Sequence, residues 1–289
     1  MEKGFDIVPV SVDDTALARY SRLLSDTFPE ARHFTVAYLR WLYCANPDGP
    51  VVGFDAWRDG DFAAHYVCIP TTVTLDGTSC RMVLSLNTAT APRYRGRGLM
   101  IILAERTYES AALNGAHAVY GVANANSTPG FIRRLGFDLV GPLDAKIGIG
   151  SLDGEPPTEV AERASFSRTW NPESLAWRLL TPEAPWTPLQ QAHGGLTAVT
   201  RTHRPLVRAW ATVACNDAID ELPGHPAHGL NLHLGLRPDG SLRSRKPWVD
   251  VPEKFRASPL NLIFRPLIEG TAVPDLRATM FGALDFDAF

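Results

Sequence analysis

Arg93-Tyr94-Arg95-Gly96-Arg97-Gly98-Leu99 is the stretch on which the reading of this chain turns. Before it, Arg81 to Thr90 alternates as a strand does, with Met82, Leu84 and Leu86 on one face and Val83, Ser85 and Asn87 on the other. After it, Leu99 to Ala112 is rich in helix formers and closes at Asn114-Gly115, a left-handed stop. A glycine-rich turn between a strand and a helix presents successive backbone N–H groups at the positive end of the helix dipole, and that geometry binds a pyrophosphate. Gly96 and Gly98 allow the turn and a close approach of the anion, while Arg93, Arg95 and Arg97 add positive charge. Alone, the six residues Arg93 to Gly98 read as a solvated Arg-Gly turn; the flanking elements reverse that reading. A Walker A loop would need Gly-Lys-Ser/Thr where Gly98-Leu99-Met100 stands, and the dinucleotide fingerprint needs a third glycine after a first strand.

Outward toward the N-terminus, Ser11 with Asp14 has the spacing of a capping box. Leu17, Tyr20, Leu24 and Phe28 then recur at helical spacing until Pro29. Thr35 to Ala45 predicts a second helix with Tyr38, Trp41 and Leu42 on one face, stopped by Asn46-Pro47-Asp48-Gly49-Pro50. Val51 to Trp57, Phe62 to Ile69, Thr71 to Leu75 and Arg81 to Thr90 predict four antiparallel strands, with turns at Asp59-Gly60 and Asp76-Gly77 and an interruption at Pro70. Outward toward the C-terminus, Ala118 to Ala123 predicts a fifth strand, parallel to the fourth because a helix joins them. Pro129 opens a short helix to Leu135, and Phe137 to Ile149 returns to strand. Residues 151–165, polar and holding Pro156-Pro157, read as a linker. Leu175-Ala176-Trp177-Arg178 before Pro182 echoes Leu39-Arg40-Trp41-Leu42 before Pro47, as in two halves of related ancestry. The second half has no counterpart of the glycine-rich loop.

The 289 residues allow one large or two modest domains, and 45% hydrophobic with 20% charged residues is the balance of a folded protein. With 28 Lys and Arg against 31 Asp and Glu, the net charge of -3 excludes nucleic acid as a main partner. The four cysteines form no C-x-x-C pair, which argues for reduced thiols rather than a zinc knuckle. His225, His228 and His233 cluster around Pro226 without a cysteine or carboxylate, so no metal is expected. No signal-like N-terminus and no apolar run of about 18 residues is present, so a cytoplasmic chain without a membrane span is expected.

The order of elements, the Arg93 to Gly98 loop and the later Arg134-Leu135-Gly136-Phe137 together resemble the acetyl-CoA-binding core of the GNAT N-acetyltransferase superfamily, over about residues 5 to 150. Tyr38, Trp41, Asn46-Pro47 and Trp177-Arg178 are similar to a bacterial subgroup encoded among genes for surface polysaccharides. The resemblance implies an α/β fold with a mixed, mostly antiparallel sheet. Residues 1–150 would form the acetyl-CoA-binding domain, and 166–289 either a degenerate second GNAT-like unit or an acceptor-binding domain. It implies transfer of acetyl from acetyl-CoA, without metal, to a primary amine of a small molecule, an amino sugar, nucleotide-linked forms included.

In that family the fourth and fifth strands splay and the pantetheine arm lies between them. Thr88, Ala89 and Thr90 hold this place here, with an N–H near Thr88 toward the thioester carbonyl. By the same resemblance the backbone of Tyr94, Arg95, Gly96, Arg97, Gly98 and Leu99 holds the pyrophosphate, and Asn124 bonds the pantetheine amides or serves only as a turn former. Many members place a tyrosine acid four residues before the Gly-Phe glycine; this chain has Ile132. Tyr120 is the substitute acid or a core aromatic, and His65 is the base or a structural strand histidine. His33 and Asn87 fall on the acceptor side, and Asp285 and Asp287 leave polycationic acceptors open. The seven tryptophans are sugar-stacking faces or core anchors. Two rival readings stand: a peptidoglycan aminoacyl transferase built of tandem GNAT-like units, and a non-catalytic acyl-CoA sensor.

Overall fold

The computed structural model of the chain describes residues 4–152, 154–192, 194–202, 204, 206–215, 229–241, 248–256 and 258–286. Its first half runs β1 (Asp6–Pro9), α1 (Asp14–Thr27), α2 (Val36–Cys44), β2 (Val52–Arg58), β3 (Asp61–Leu75), β4 (Thr78–Thr90), α3 (Leu99–Leu113), β5 (Ala118–Asn124), α4 (Thr128–Leu135), β6 (Asp138–Pro142) and β7 (Asp144–Ile149). The second half runs α5 (Pro157–Arg163), β8 (Phe166–Arg168), α6 (Pro172–Leu179), β9 (Thr187–Ala192), β10 (Gly195–Arg201), β11 (Val207–Ala214), β12 (Leu230–Leu236), β13 (Trp248–Asp250), β14 (Leu260–Pro266) and β15 (Thr279–Gly282). The α/β class and the mixed sheet are as expected. No helix among the described residues is long and apolar enough to cross a membrane.

Local chemistry sets most boundaries in the first half. The cap of α1 is Asp13 rather than Ser11: its carboxylate accepts from the Ala16 amide at 2.8 Å, and Ser11 Oγ donates to the same carboxylate at 2.6 Å. Thr35 caps α2. Asp59-Gly60 and Asp76-Gly77 all have positive φ, as two-residue hairpin turns require.

The strand pattern departs from expectation at three places. Pro70 does not divide β3, which runs unbroken opposite β4. The Pro70 carbonyl accepts from Asn46 Nδ2 at 2.9 Å, so its backbone polar edge points away from β4. There β2 has ended at Cys68 and β8 begins only at Val73, so the missing N–H forfeits no ladder bond. The run 137–149 is two strands, not one: β6 and β7 join different partners, and between them the Leu143 amide donates to Leu260. The stretch 151–165 is not only linker, because Pro157 opens α5.

The two halves exchange strands. β14, from the C-terminal stretch, lies between β5 and β6, antiparallel to both, while β7, from the N-terminal stretch, pairs with β12 and β13 in the same fashion. Within each half the arrangement repeats: an antiparallel run (β2-β3-β4 and β9-β10-β11) whose last strand pairs in parallel with the next (β4 with β5, β11 with β12). Separation at residues 150 to 166 along the chain is therefore not separation in space. One core holds Tyr20, Tyr38 and Leu42 from the first half together with Phe166, Trp177 and Phe281 from the second. A second core lies on the opposite face of the first sheet, under α3.

At the junction the echoed motifs meet. Trp41 and Trp177 stack at 4.6 Å and 16°, and each indole N–H donates to the other residue's carbonyl, at 3.1 and 3.2 Å. This reciprocity is what a local two-fold relation between α2 and α6 produces. Removing one ring deletes the stack, a cross-junction bond and a buried surface together. Trp177→Ala is expected to lower unfolding free energy by about 3–5 kcal/mol in a urea titration; a loss under about 1 kcal/mol would mean the halves are held elsewhere.

Candidate active site

β4 and β5 are hydrogen-bonded only where Val83, Leu84 and Ser85 face Val119, Tyr120 and Gly121. Beyond that point the strands part. The cause lies in β4: Val67 faces Leu86 and His65 faces Ala89, so Asn87 and Thr88 together oppose the single residue Tyr66, a bulge with Asn87 at φ 48. The bulge bends β4 away from β5 and leaves a wedge between Leu86–Thr90 and Val122–Asn124.

A cavity opens at the wedge on each face of the sheet. On the α3 side is a cleft of about 540 Å³ lined by Thr90, Tyr94 to Ile101, Pro129, Gly130, Arg133 and Arg134. Gly96 and Gly98 adopt φ 74 and 76, and a β-carbon at either would meet nothing within 4 Å, so an anion can lie directly against the loop. The amides of Gly96, Arg97 and Gly98 donate to no group among the described residues, and they stand at the N-terminus of α3. Arg95 and Arg97 line the cleft as expected, but Arg93 does not: it pairs with Asp61 at 2.9 Å and stacks over Tyr94, whose hydroxyl also donates to Asp61. Arg133 and Arg134 from α4 supply charge the loop motif did not reveal; two adjacent arginines before a left-handed Gly136 were the available signal. These donors and this space fit the diphosphate of acetyl-CoA.

On the α1/α2 side a cavity of about 320 Å³ is lined by Phe28, His33, Phe34, Asn87, Thr88 and Phe286, among others. His33 and Asn87 are thus brought together. The His33 ring lies 4.2 Å from Phe34 and 4.9 Å from Tyr38. Thr88 to Thr90 links the two cavities, so an extended molecule spanning both would run along this edge of β4. Asn124 is also at the wedge, but its side-chain oxygen is taken up by the Asn126 and Ser127 amides at 3.0 Å each, an Asx turn leading into α4.

His65 and Tyr120 line neither cavity. Tyr120 packs edge-on against Phe166 and Phe281, and burial pushes its hydroxyl up to about 12. His65 is fully buried in a chain of side chains. Tyr20 donates to Asp55 at 2.6 Å, Asp55 contacts His65 Nδ1 at 2.7 Å, His65 Nε2 contacts the Tyr43 hydroxyl at 3.0 Å, and Asn87 Nδ2 donates to Tyr43 at 3.0 Å. Tyr20, Tyr43 and Asp55 escaped sequence reasoning; a carboxylate inside the apolar run Val52 to Trp57 was the one sign of it.

The corresponding wedge of the second half is filled by β15, which leaves a cavity of only about 20 Å³ bordered by Ala211, Thr212, Val213 and Ala214 of β11. β11 and β12 pair over Val207–Trp210 and Leu230–His233, after which Gly235 and Leu236 pair with Gly282 and Phe281 of β15. A β-carbon on Gly235 would collide with the Phe281 carbonyl, so glycine is what admits the strand. Behind it Asp285 accepts from Trp170 Nε1 at 3.0 Å and from the Gly282 amide at 2.6 Å, and Arg168 stacks on Trp170 at 3.9 Å. Burial pushes the Asp285 carboxyl up to about 6. Asp285 is therefore part of this plug and not of the acceptor cavity; Asp287, with His225 and His228, lies outside the described residues.

Residues 11–140 match the family model of the acetyltransferase (GNAT) domain. No curated protein matches the sequence. The fold is similar to a GCN5-related N-acetyltransferase from Anabaena variabilis (TM-score 0.61, 13% identity, 91% of this chain and 73% of that one). It is similar also to a probable N-acyltransferase from Enterococcus faecalis (TM-score 0.61, 12% identity, 91% and 73%). A third similar structure is Saccharomyces cerevisiae N-myristoyltransferase with bound myristoyl-CoA (TM-score 0.57, 10% identity, 96% and 88%). At such identities the structural likeness is one of fold, and the sequence match to the acetyltransferase (GNAT) domain model covers residues 11–140, somewhat under half of the chain.

Proposed function

We propose that the protein is an acyl-CoA-dependent N-acyltransferase that moves acetyl from acetyl-CoA to a primary amine by direct attack. The observation that carries the reading is the open wedge between β4 and β5, with a cation-lined cleft on one face and a cavity for a second substrate on the other. Acetyl-CoA supplies a thioester, an acyl donor that an amine can attack without a covalent enzyme intermediate. The amides of Gly96, Arg97 and Gly98 bind its diphosphate, with Arg95, Arg97, Arg133 and Arg134 balancing the charge. The edge of β4 over Thr88 to Thr90 offers backbone N–H and C=O groups to the pantetheine amides, as an added strand would receive. An N–H near Thr88 stabilises the negative charge that develops on the thioester oxygen. On the amine side His33 is, among the described lining residues, the one whose side chain ordinarily titrates near neutral pH, and it accepts the amine proton directly or through water. Position 132, an isoleucine, donates none to the departing thiolate, so that proton comes from solvent.

For the acceptor we weigh two readings. An amino sugar rests on the resemblance of Tyr38 to Pro47. Its other support, plentiful tryptophan, weakens because Trp170, Trp177, Trp186, Trp210 and Trp248 are buried and offer no face to a sugar. An amine with an apolar or aromatic body is favoured by the walls that Phe28, Phe34 and Phe286 give the cavity.

Calorimetric titration should give saturable acetyl-CoA binding by the wild type and a Kd weakened about a hundredfold or more in Gly98→Glu. Equal affinities in two folded proteins would remove the loop from the site. In a thiol-release assay, turnover should appear with at least one primary amine. Comparing an aminodeoxy sugar in free and nucleotide-linked form, an arylalkylamine, a polyamine and a lysine peptide separates the acceptor readings. Binding without release on any amine would leave a sensor rather than an enzyme.

A further inference from the structure

We propose that Tyr43, His65, Asp55 and Tyr20 are positioning residues for acyl transfer: a buried hydrogen-bonded chain that holds Asn87 in its left-handed conformation and so fixes which backbone groups of β4 face the wedge. The proposal rests on the acyltransfer reading above.

The bulge does more than bend β4. Met82, Leu84 and Leu86 face the α1/α2 core, and a regular strand would continue with residue 88 on that face. Instead Ala89 is packed there, and Thr90 faces the loop cleft on the opposite side. One inserted residue has thus inverted the alternation, and its loss would turn Thr88, Ala89 and Thr90 to the wrong faces together. The inversion is held at Asn87, whose φ of 48 lies in the left-handed region that L-residues enter rarely, asparagine less rarely than most. Something must keep it there.

The side chain of Asn87 is tied to a scaffold drawn from four other elements, α1, α2, β2 and β3. Tyr20, Tyr43 and His65 are fully buried and Asp55 nearly so, and each is hydrogen-bonded to the next. With Asn87 Nδ2 facing Tyr43, the protons run one way: the Tyr43 hydroxyl accepts from Asn87 and donates to His65 Nε2, and His65 Nδ1–H donates to Asp55. Asp55 also accepts from Tyr20, whose oxygen takes the Ser11 amide at 3.2 Å. Every member is satisfied, and the Tyr20 ring stacks on His65 at 4.0 Å and 22°, which fixes the imidazole plane. A core built only for stability would use apolar side chains here; a fully satisfied polar chain instead specifies one conformation at its half-buried end, Asn87, which lines the second-substrate cavity.

The test compares full-length wild type, Tyr43→Phe, Asn87→Ala, Asn87→Gly and the double variant Tyr43→Phe/Asn87→Gly, with rates corrected for the folded fraction. Tyr43→Phe and Asn87→Ala should each lower kcat about tenfold or more, with KM for the amine within about threefold, because a misaimed backbone donor is felt most in the transition state. Glycine enters the left-handed region without an anchor, so Asn87→Gly should keep at least about five times the rate of Asn87→Ala and should rescue Tyr43→Phe. A purely structural role would lower stability but leave kcat per folded molecule unchanged in all variants. Wild-type kcat in Tyr43→Phe, or equal damage in Asn87→Gly and Asn87→Ala, overturns the proposal; if Tyr43→Phe does not fold, the Asn87 pair decides alone. A readout independent of turnover is the backbone amide NMR shift of Thr88, which should move on Tyr43→Phe in the wild-type background and stay in place when the double variant is compared with Asn87→Gly. An unmoved shift in the wild-type background overturns the proposal as well, whereas a wild type that acylates no amine yet shows the shift pattern overturns only the acyltransfer reading.

Discussion

Where two neighbouring strands part, each leaves a row of backbone N–H and C=O groups without a ladder partner, and something must satisfy them. This chain meets that constraint twice and resolves it in two ways. Between β11 and β12 the chain's own β15 takes the freed edge of β12, admitted by Gly235 and backed by the Trp170, Arg168 and Asp285 cluster, and leaves only a small cavity against β11. Between β4 and β5 no strand among the described residues takes the place, and the edge of β4 stays open between two cavities. One wedge is filled by structure, and the other is the place to which the proposed function assigns a ligand.

The filled wedge serves the open one. Arg178, next to the stacked Trp177, donates to the carbonyls of Leu284 and Phe286, which carries the segment beyond β15 back to the first half. Phe286 then forms part of the wall of the cavity on the α1/α2 side. Burial pushes the Arg178 guanidinium down to about 9, the cost of anchoring the segment inside the protein rather than at its surface. The exchange of β7 and β14 acts in the same sense, since neither sheet is complete without a strand from the other half.

Much of the first half was legible because its signals are local. The Gly96 and Gly98 turn, the Thr35 cap, the Asp-Gly hairpins and the Asn114-Gly115 stop each act through a few adjacent residues, and each stands within a residue or two of where the sequence put it. Pro70 misled because whether a missing N–H matters depends on which neighbouring strand is absent, and that is a tertiary fact. The split of 137–149 and the place of β14 were hidden for the same reason: partners lie far along the chain, as Leu230 opposite Ile149 and Leu260 opposite Asn124. Of the candidate site, the sequence named loop residues that line one cavity and the pair His33 and Asn87 that line the other, whereas Arg93 is diverted to Asp61 and His65 is sealed in a chain whose other members look like ordinary core residues in sequence. A β-bulge leaves no mark in an alternating pattern until the side chains beyond it are seen to face the wrong way.

The central claim is that one wedge binds acyl-CoA and the other cannot. Amide hydrogen exchange of the full-length protein, with and without saturating acetyl-CoA, addresses it directly. Slowed exchange is expected at Thr88–Thr90 and Gly96–Met100, with Ala211–Ala214 unchanged. Protection at Ala211–Ala214, or saturable binding that leaves Thr88–Thr90 exchanging as before, would contradict the account.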